Sequence, residues 1–167
     1  MSINIAKANQ GEFYPFKETI KANNDILSGI LATFDGDIEI EGTYVTDKDN
    51  VYIDSKLRFD IIFKCARCLE DVKKSFNIRC MASFYLEGES VEEGYYPYSN
   101  NFIDMTEPAM QEIILNLPTR VLCKEDCKGL CQVCGTNLNN SNCDCDKLQN
   151  QETITPNNPF SVLKNLK

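Results

Sequence analysis

The middle of the chain alternates between apolar and polar residues with a period of two. Two segments carry the pattern most clearly, with apolar side chains at Leu57, Phe59, Ile61 and Phe63 and then at Phe76, Ile78, Cys80, Ala82 and Phe84. Because successive side chains of a strand point to opposite faces, this pattern predicts two strands, each with one buried face. The short polar segment between them predicts an antiparallel hairpin, and Cys80 is expected to be a small buried apolar residue.

A third strand is predicted in the second half of residues 26–46. Ile38 and Ile40 alternate there with polar residues, and Tyr44 follows a break at Gly42. Residues 87–101 are rich in Glu and Gly and predict an exposed loop.

One amphipathic helix is predicted near residues 106–117. Thr106 suits the N-cap, and Pro118 is expected to end the helix. The apolar positions follow the spacing i, i+3, i+4 and i+7 that places side chains on one helix face, at Met110, Ile113, Ile114 and Leu117.

Together these elements predict an α+β fold. It has an antiparallel β-rich body, one main amphipathic helix and a small cysteine-rich zinc-binding module. We expect the body to span residues 1–117, the module residues 118–147, and a polar connector with a short C-terminal helix residues 148–167.

The charge of the chain limits its partners. Among 167 residues, 25 are acidic and 17 basic, so the formal net charge is −8 and the long-range field repels polyanions. Any contact with nucleic acid is therefore expected to be local or made through a protein partner. The start, MSINIAKANQ, has no apolar h-region, and no apolar run is long enough to span a bilayer, so we expect a cytoplasmic protein without membrane contact.

The nine cysteines carry the candidate chemistry, in a chain without histidine. A reducing cytoplasm disfavours disulfides and favours metal ligands or redox thiols. Cys131-Gln132-Val133-Cys134-Gly135 has the form of a zinc knuckle, in which two thiolates reach one tetrahedral ion. The candidate metal ligands, from which four must be drawn, are Cys123, Cys127, Cys131, Cys134, Cys143 and Cys145.

Two arrangements of that site remain open. Loop entropy favours a local site drawn from the six candidates, whereas a zinc ribbon would pair the knuckle with Cys65 and Cys68. Iron–sulfur clusters use the same thiolates, but the common CxxCxxC spacing is absent, which favours zinc. A site closed by four thiolates is structural, and the chain has no HExxH motif, so no enzymatic activity is expected.

Cys65, Arg67 and Cys68 lie at the predicted hairpin tip. They are candidates for a second thiol pair or a partner contact. A redox pair of the thioredoxin type needs a helix N-terminus after the first cysteine, and a strand pattern follows here instead. The surrounding basic residues are interpreted as a solvated face with some capacity to meet phosphate, and they comprise Arg58, Lys64, Arg67, Lys73, Lys74 and Arg79.

Four segments, taken in order, resemble the YceD family, the large ribosomal RNA subunit accumulation proteins of bacteria and plastids. They are KCARCLEDVKKSF at 64–76, FIDMTEPAMQEIILNLPTRVLC at 102–123, CKGLCQVCGTNLN at 127–139 and NNPFSVLKNLK at 157–167. The conspicuous matches are Cys65, Arg67 and Cys68, the helix face Glu112-Ile113-Ile114, and the knuckle cysteines Cys131 and Cys134.

The resemblance implies a role in the accumulation of large-subunit ribosomal RNA, through its synthesis, its processing or subunit assembly. Partners would be ribosomal RNA or ribosomal proteins of the large subunit, with no small-molecule substrate. The alternative functions are a thiol redox protein or sensor that uses Cys65 and Cys68, and a zinc-ribbon module of a transcription complex.

Overall fold

The structure, a computed structural model, describes residues 2–88 and 94–145. The described residues form an α+β fold dominated by antiparallel strands. Its strands are β1 (Ile3–Asn4), β2 (Phe13–Ile20), β3 (Ala32–Phe34), β4 (Ile38–Asp47), β5 (Asn50–Lys64), β6 (Asp71–Leu86), β7 (Tyr96–Tyr98) and β8 (Phe102–Ile103). A 3-10 helix (Asn24–Leu27) precedes β3, and helix α1 (Thr106–Asn116) follows β8. No helix in these ranges has the length and apolarity needed to cross a membrane.

The main sheet is built around one long hairpin. Strands β5 and β6 pair antiparallel from Asn50 and Tyr85 to Lys64 and Asp71, which confirms the predicted hairpin. The strand order is β2-β4-β5-β6-β7, with only β7 parallel to its neighbour β6. Strands β1 and β8 form a separate two-stranded sheet.

The hairpin extends beyond its main neighbour. Strand β4 pairs with β5 only as far as Arg58, and β3 pairs with residues 61–63 of the same strand edge. The tip of the hairpin, residues 65–70, therefore lies beyond the part of β5 that pairs with β4.

Strand β4 is continuous through Gly42, where the alternation of apolar residues is interrupted. A Cβ atom at Gly42 would lie 2.2 Å from the Asp54 carbonyl oxygen and 2.6 Å from the Ser55 Cα. Glycine is needed because the two strand backbones approach closely, not because the strand ends. On the next strand along, the Ser55 hydroxyl donates a hydrogen bond of 2.9 Å to the carbonyl of Cys80.

Helix α1 is present where the sequence predicts it, but two of its predicted details were wrong. Thr106 is the first helical residue rather than the N-cap, and its N–H donates to the Asp104 carboxylate at 2.8 Å. Ile114 is 47% exposed, although it was expected on the buried face. Leu117 has extended backbone before Pro118, which confirms the predicted end of the helix.

The buried face of the helix packs against β6. This face is rotated around the helix axis relative to the predicted one. Its buried residues are Pro108, Ala109, Met110 and Ile113. Cys80 is buried in the same core, as predicted.

The segment expected as an exposed loop partly joins the sheet. Tyr98 of β7 is buried, and the Tyr96 ring lies 5.7 Å from the ring of Phe84. The predicted connector and terminal helix at 148–167 lie outside the described residues.

Candidate metal centres

Eight of the nine cysteines form two groups of four. In each group all four Sγ atoms lie within 4.8 Å of one another. Site 1 comprises Cys65, Cys68, Cys123 and Cys127, and site 2 comprises Cys131, Cys134, Cys143 and Cys145. All nine cysteines are free thiols, so neither group is a set of disulfides.

The hairpin tip supplies half of site 1. The Cys65 N–H donates to the carbonyl of Glu70 at 2.8 Å, and the Leu69 N–H donates to the carbonyl of Cys65 at 3.0 Å. Leu69 closes this turn with a left-handed backbone, at φ 61°. The turn brings the Cys65 and Cys68 thiols into one group, and both side chains are buried.

The segment after helix α1 supplies the other half. The Ala66 N–H donates to the carbonyl of Val121 at 2.9 Å, which holds this segment along the tip. The Cys123 N–H then donates to the Cys65 Sγ at 3.4 Å. The Sγ atoms of Cys65 and Cys127 are 3.8 Å apart, and those of Cys68 and Cys123 are 3.5 Å apart.

Arg67 braces this assembly rather than standing free at the tip. Its guanidinium donates to the carbonyl of Cys127 at 2.8 Å, and its own carbonyl accepts from the Leu130 N–H at 3.1 Å. Arg67 was predicted as a partner contact, and its outward contacts stay a prediction.

Site 2 is built on a turn with the same hydrogen bonds as the hairpin tip. The Cys131 N–H donates to the carbonyl of Thr136 at 2.8 Å, and the Gly135 N–H donates to the carbonyl of Cys131 at 2.9 Å. Gly135 has φ 74° and so occupies the position that Leu69 takes in site 1. The Val133 N–H points to the Cys131 Sγ at 3.4 Å, as expected for a turn that supports a thiolate.

The thiols within each group differ in pKa. Desolvation opposes ionisation of Cys65, but backbone N–H groups of Arg67, Cys123 and Cys68 outweigh it and lower its pKa to about 6. In site 2, hydrogen bonding with the side chain and backbone of Thr136 lowers the pKa of Cys134 to about 6. Its neighbour Cys145 has its pKa raised to about 12, chiefly by the bond with Cys134. Four clustered thiols cannot all ionise without a cation, and a bound metal would stabilise all four as thiolates.

The donor set fits zinc in both sites. A tetrahedral ion with Zn–S bonds of about 2.3 Å places its sulfurs about 3.8 Å apart. Two sulfur pairs in site 1, Cys65–Cys127 at 3.8 Å and Cys68–Cys123 at 3.5 Å, are near this spacing. Four soft thiolates without a nitrogen or oxygen ligand also match the preference of zinc and of iron–sulfur clusters over harder ions.

The six predicted ligands all lie in these groups, but not in one local site. Cys123 and Cys127 join Cys65 and Cys68, which were set apart as a second thiol pair. The two CxxC pairs also fall in different groups, so the ribbon arrangement is not formed either. The predicted boundary at residue 118 thus crosses site 1, because two ligands come from each side of it.

Polar residues around the thiols were missed at the sequence level. Asn139 donates from Nδ2 to the Cys127 Sγ at 3.3 Å, and Asn137 donates to the Glu70 carboxylate at 2.9 Å. The available signal was the asparagine-rich run TNLNNSN after the knuckle, in a segment with few apolar residues. Its composition indicates hydrogen-bonded turns but not their targets.

The basic residues near the hairpin are mostly paired with acids. The pairs are Arg58 with Glu41, Lys64 with Asp71, Arg79 with Asp54, and Lys73 with both Asp35 and Asp60. These exposed pairs agree with the interpretation of a solvated face. They leave less positive charge for phosphate than the sequence count indicates.

Comparisons with known proteins identify a relationship over most of the chain. The family model described as "Large ribosomal RNA subunit accumulation protein YceD" matches residues 53–167. An uncharacterized protein of Mycobacterium tuberculosis and another of Mycobacterium bovis are each 23% identical over 150 residues, covering 83% of this chain and 70% of theirs. A chloroplastic protein of Zea mays, "Large ribosomal RNA subunit accumulation protein YCED homolog 1", is 35% identical over 63 residues, or 37% of this chain and 21% of its own. No solved structure matches.

Proposed function

The chain belongs to the YceD family of large ribosomal RNA subunit accumulation proteins, and we propose that it is a non-catalytic accessory factor in biogenesis of the large ribosomal subunit. Family membership supports a role in the accumulation of large-subunit ribosomal RNA. The observation that carries the proposal is the match over residues 53–167, which contains both cysteine groups and helix α1. The protein would act in the cytoplasm.

Both cysteine groups would hold zinc as a structural ion. The support is the all-thiolate donor set, the sulfur spacing and the two supporting turns described above. Residues 118–144 contain one short β-bridge and no helix or strand, so burial alone offers this segment little stability. Zinc would supply the missing folding energy, as it does in other small metal-bound modules.

Catalysis is not part of the proposal. A zinc ion held by four protein thiolates has no open position for water or substrate, which a catalytic zinc requires. The bound metal would instead keep the hairpin tip and residues 121–145 in one shape for a partner.

The proposed partners are ribosomal proteins of the large subunit or a local segment of its RNA. A net charge of −8 would speed encounter with basic ribosomal proteins and would oppose approach to exposed RNA. Protein contact is therefore the leading route, with RNA contact restricted to a small surface.

The test is depletion of the protein in its own cell, with measurement of precursor and mature large-subunit ribosomal RNA. Loss of the mature RNA, restored by the wild-type chain, is expected. Rescue with Cys65→Ser/Cys68→Ser or Cys131→Ser/Cys134→Ser reports on each metal site separately. Cys80→Ala is the matched control, because Cys80 is buried outside both groups. Unchanged ribosomal RNA after depletion would reject the proposed role.

A thiol redox function of Cys65 and Cys68 is the second candidate. The lowered pKa of Cys65 favours it, because a thiolate is the reactive form. Burial of both side chains opposes it, since a redox partner must reach the sulfur. Alkylation followed by mass spectrometry separates the two functions. Metal ligands would resist the reagent until a chelator is added, whereas a redox pair would react without one.

A further inference from the structure

The loop between the two halves of site 2 reaches across to site 1. Residues 137–140 lie between Cys134 and Cys143, so a metal ion in site 2 would hold this loop at both ends. The Nδ2 group of Asn139 donates to the Cys127 Sγ at 3.3 Å. A ligand position of site 1 is thus supported by a loop that belongs to site 2.

Asn139 is held in place by three further bonds. Its Oδ1 accepts from the Lys128 N–H at 2.9 Å, and its backbone N–H and Nδ2 both donate to the Asn137 Oδ1, at 3.0 and 2.9 Å. The amide therefore has a defined orientation, with one donor aimed at sulfur.

The contact continues from Asn137 to the opposite side of site 1. Asn137 Nδ2 donates to the Glu70 Oε1 at 2.9 Å, and Asn140 Nδ2 reaches the same oxygen at 3.2 Å. The other Glu70 oxygen accepts from the Cys68 thiol at 3.8 Å. The loop consequently contacts site 1 from both the Cys127 side and the Cys68 side.

We propose that Asn139 is a positioning residue for the metal of site 1, and that the loop at residues 137–140 couples metal binding at the two sites. The inference rests on the proposed metal binding. Hydrogen bonds to metal ligands orient them and adjust their donor strength, and removing one such partner typically lowers metal affinity about 10- to 100-fold. Because coupling of binding equilibria is reciprocal, an ion at either site would raise the affinity of the other by the same factor.

The test uses the full chain loaded with 113Cd²⁺, whose two resonances report the two sites separately. The Cys143→Ser/Cys145→Ser variant assigns them, because it should lose the site 2 resonance only. A chelator is titrated against the loaded chain, and the intensity of the site 1 resonance at each step gives the affinity of site 1 for cadmium. Circular dichroism of the β-sheet checks that each variant is folded.

Asn139→Ala is expected to lower the affinity of site 1 about 10- to 100-fold and to shift its resonance, because the thiolate loses a hydrogen-bond donor. Asn142→Ala is the matched control, since that asparagine is exposed and lies outside the loop at residues 137–140. It should leave the affinity of site 1 and its resonance unchanged. Equal behaviour of the two variants would overturn the assignment of Asn139.

Coupling is tested by a double-mutant cycle. The Cys143→Ser/Cys145→Ser change should itself weaken site 1, and adding Asn139→Ala should then cost much less than it does in the intact chain. Unchanged site 1 affinity, or fully additive losses, would overturn the coupling. Failure of the wild-type chain to bind cadmium at either site would reject the proposed metal binding instead, so the two failures are distinguishable.

Discussion

The residue that follows each CxxC pair shows how different sequences make the same turn. CARCLE at the hairpin tip and CQVCGT in the knuckle share two backbone hydrogen bonds and one left-handed residue. Glycine adopts that conformation without cost, whereas an L side chain is strained by about 1–2 kcal/mol. Leu69 bears this strain in site 1, and Gly135 avoids it in site 2.

Exchanging the residue types at Leu69 and Gly135 should therefore change the free energy of unfolding in opposite directions. Gly135→Ala is expected to lower the free energy of unfolding by about 1 kcal/mol through strain alone, because no atom lies within 4 Å of the added Cβ. Leu69→Gly should be neutral or slightly stabilising. Urea unfolding of the metal-loaded chain measures both changes.

Gly29→Ala is the control for this pair. Gly29 also has open space around its Cβ position, but its φ is outside the left-handed region. A loss at Gly29 as large as that at Gly135 would contradict the strain argument.

At the scale of elements, helix α1 shows the limit of a periodic pattern. Adjacent isoleucines were both assigned to the apolar face, yet Ile113 is 0% and Ile114 is 47% exposed. Residues one position apart differ by about 100° around a helix, and packing against β6 decides which of them is covered. The start of the helix was likewise shifted, because Asp104 supplies the acceptor that Thr106 was expected to provide.

This difference predicts unequal effects of the same truncation. Ile113→Ala should lower the free energy of unfolding by about 2–5 kcal/mol, because it opens a cavity in the core. Ile114→Ala should cost less than about 1 kcal/mol, and it serves as the matched control. Chemical denaturation followed by circular dichroism gives both values. Similar losses at the two positions would mean that the helix is rotated from the orientation described.

At the scale of the whole molecule, site 1 joins the β-rich body to the cysteine-rich segment. Its sulfur pairs connect positions 62 and 55 residues apart. The hairpin holds Cys65 and Cys68 in the body, while Cys123 and Cys127 follow helix α1. Metal binding there would fasten the segment to the body as well as stabilise it.

Metal removal should therefore release this segment without unfolding the sheet. Chelation is expected to expose the bonds after Arg120, Lys124 and Lys128 to trypsin, while the circular dichroism of the β-sheet changes little. Limited proteolysis with mass spectrometry maps the cuts. The Cys65→Ser/Cys68→Ser variant should be cut there even in the presence of zinc. Equal cleavage with and without metal would argue against fastening by site 1.

The net charge of −8 predicts how ionic strength acts on the proposed partner contact. Attraction to a basic ribosomal protein is screened over about 8 Å at 0.15 M salt and over shorter distances above it. Association of the protein with large-subunit ribosomal proteins should therefore slow and weaken as salt is raised. Stopped-flow or surface-based binding across a salt series measures this. Association rates that do not change with salt concentration would exclude electrostatic attraction as the basis of encounter.

The sequence by itself determined the hairpin, its buried parity and the existence of the helix, and it named as candidate ligands six of the eight cysteines that lie in the two groups. These features depend on neighbouring residues, through the strand period of two and the short spacing of CxxC pairs. Gly42 shows where local inference fails. Its role depends on the backbone of β5, which approaches only in the folded sheet.

Only the tertiary structure decided how the cysteines are grouped. Loop entropy favoured a local site, but closing the 55-residue loop between Cys68 and Cys123 costs only about 1.6 kcal/mol more than closing the loop of site 2 between Cys134 and Cys143. The β5–β6 hairpin and the packing of α1 on β6 easily offset that difference, because they order both ends of the loop for other reasons. The partnership of Asn139 with Cys127 has the same origin, since it forms only after the two cysteine groups lie side by side.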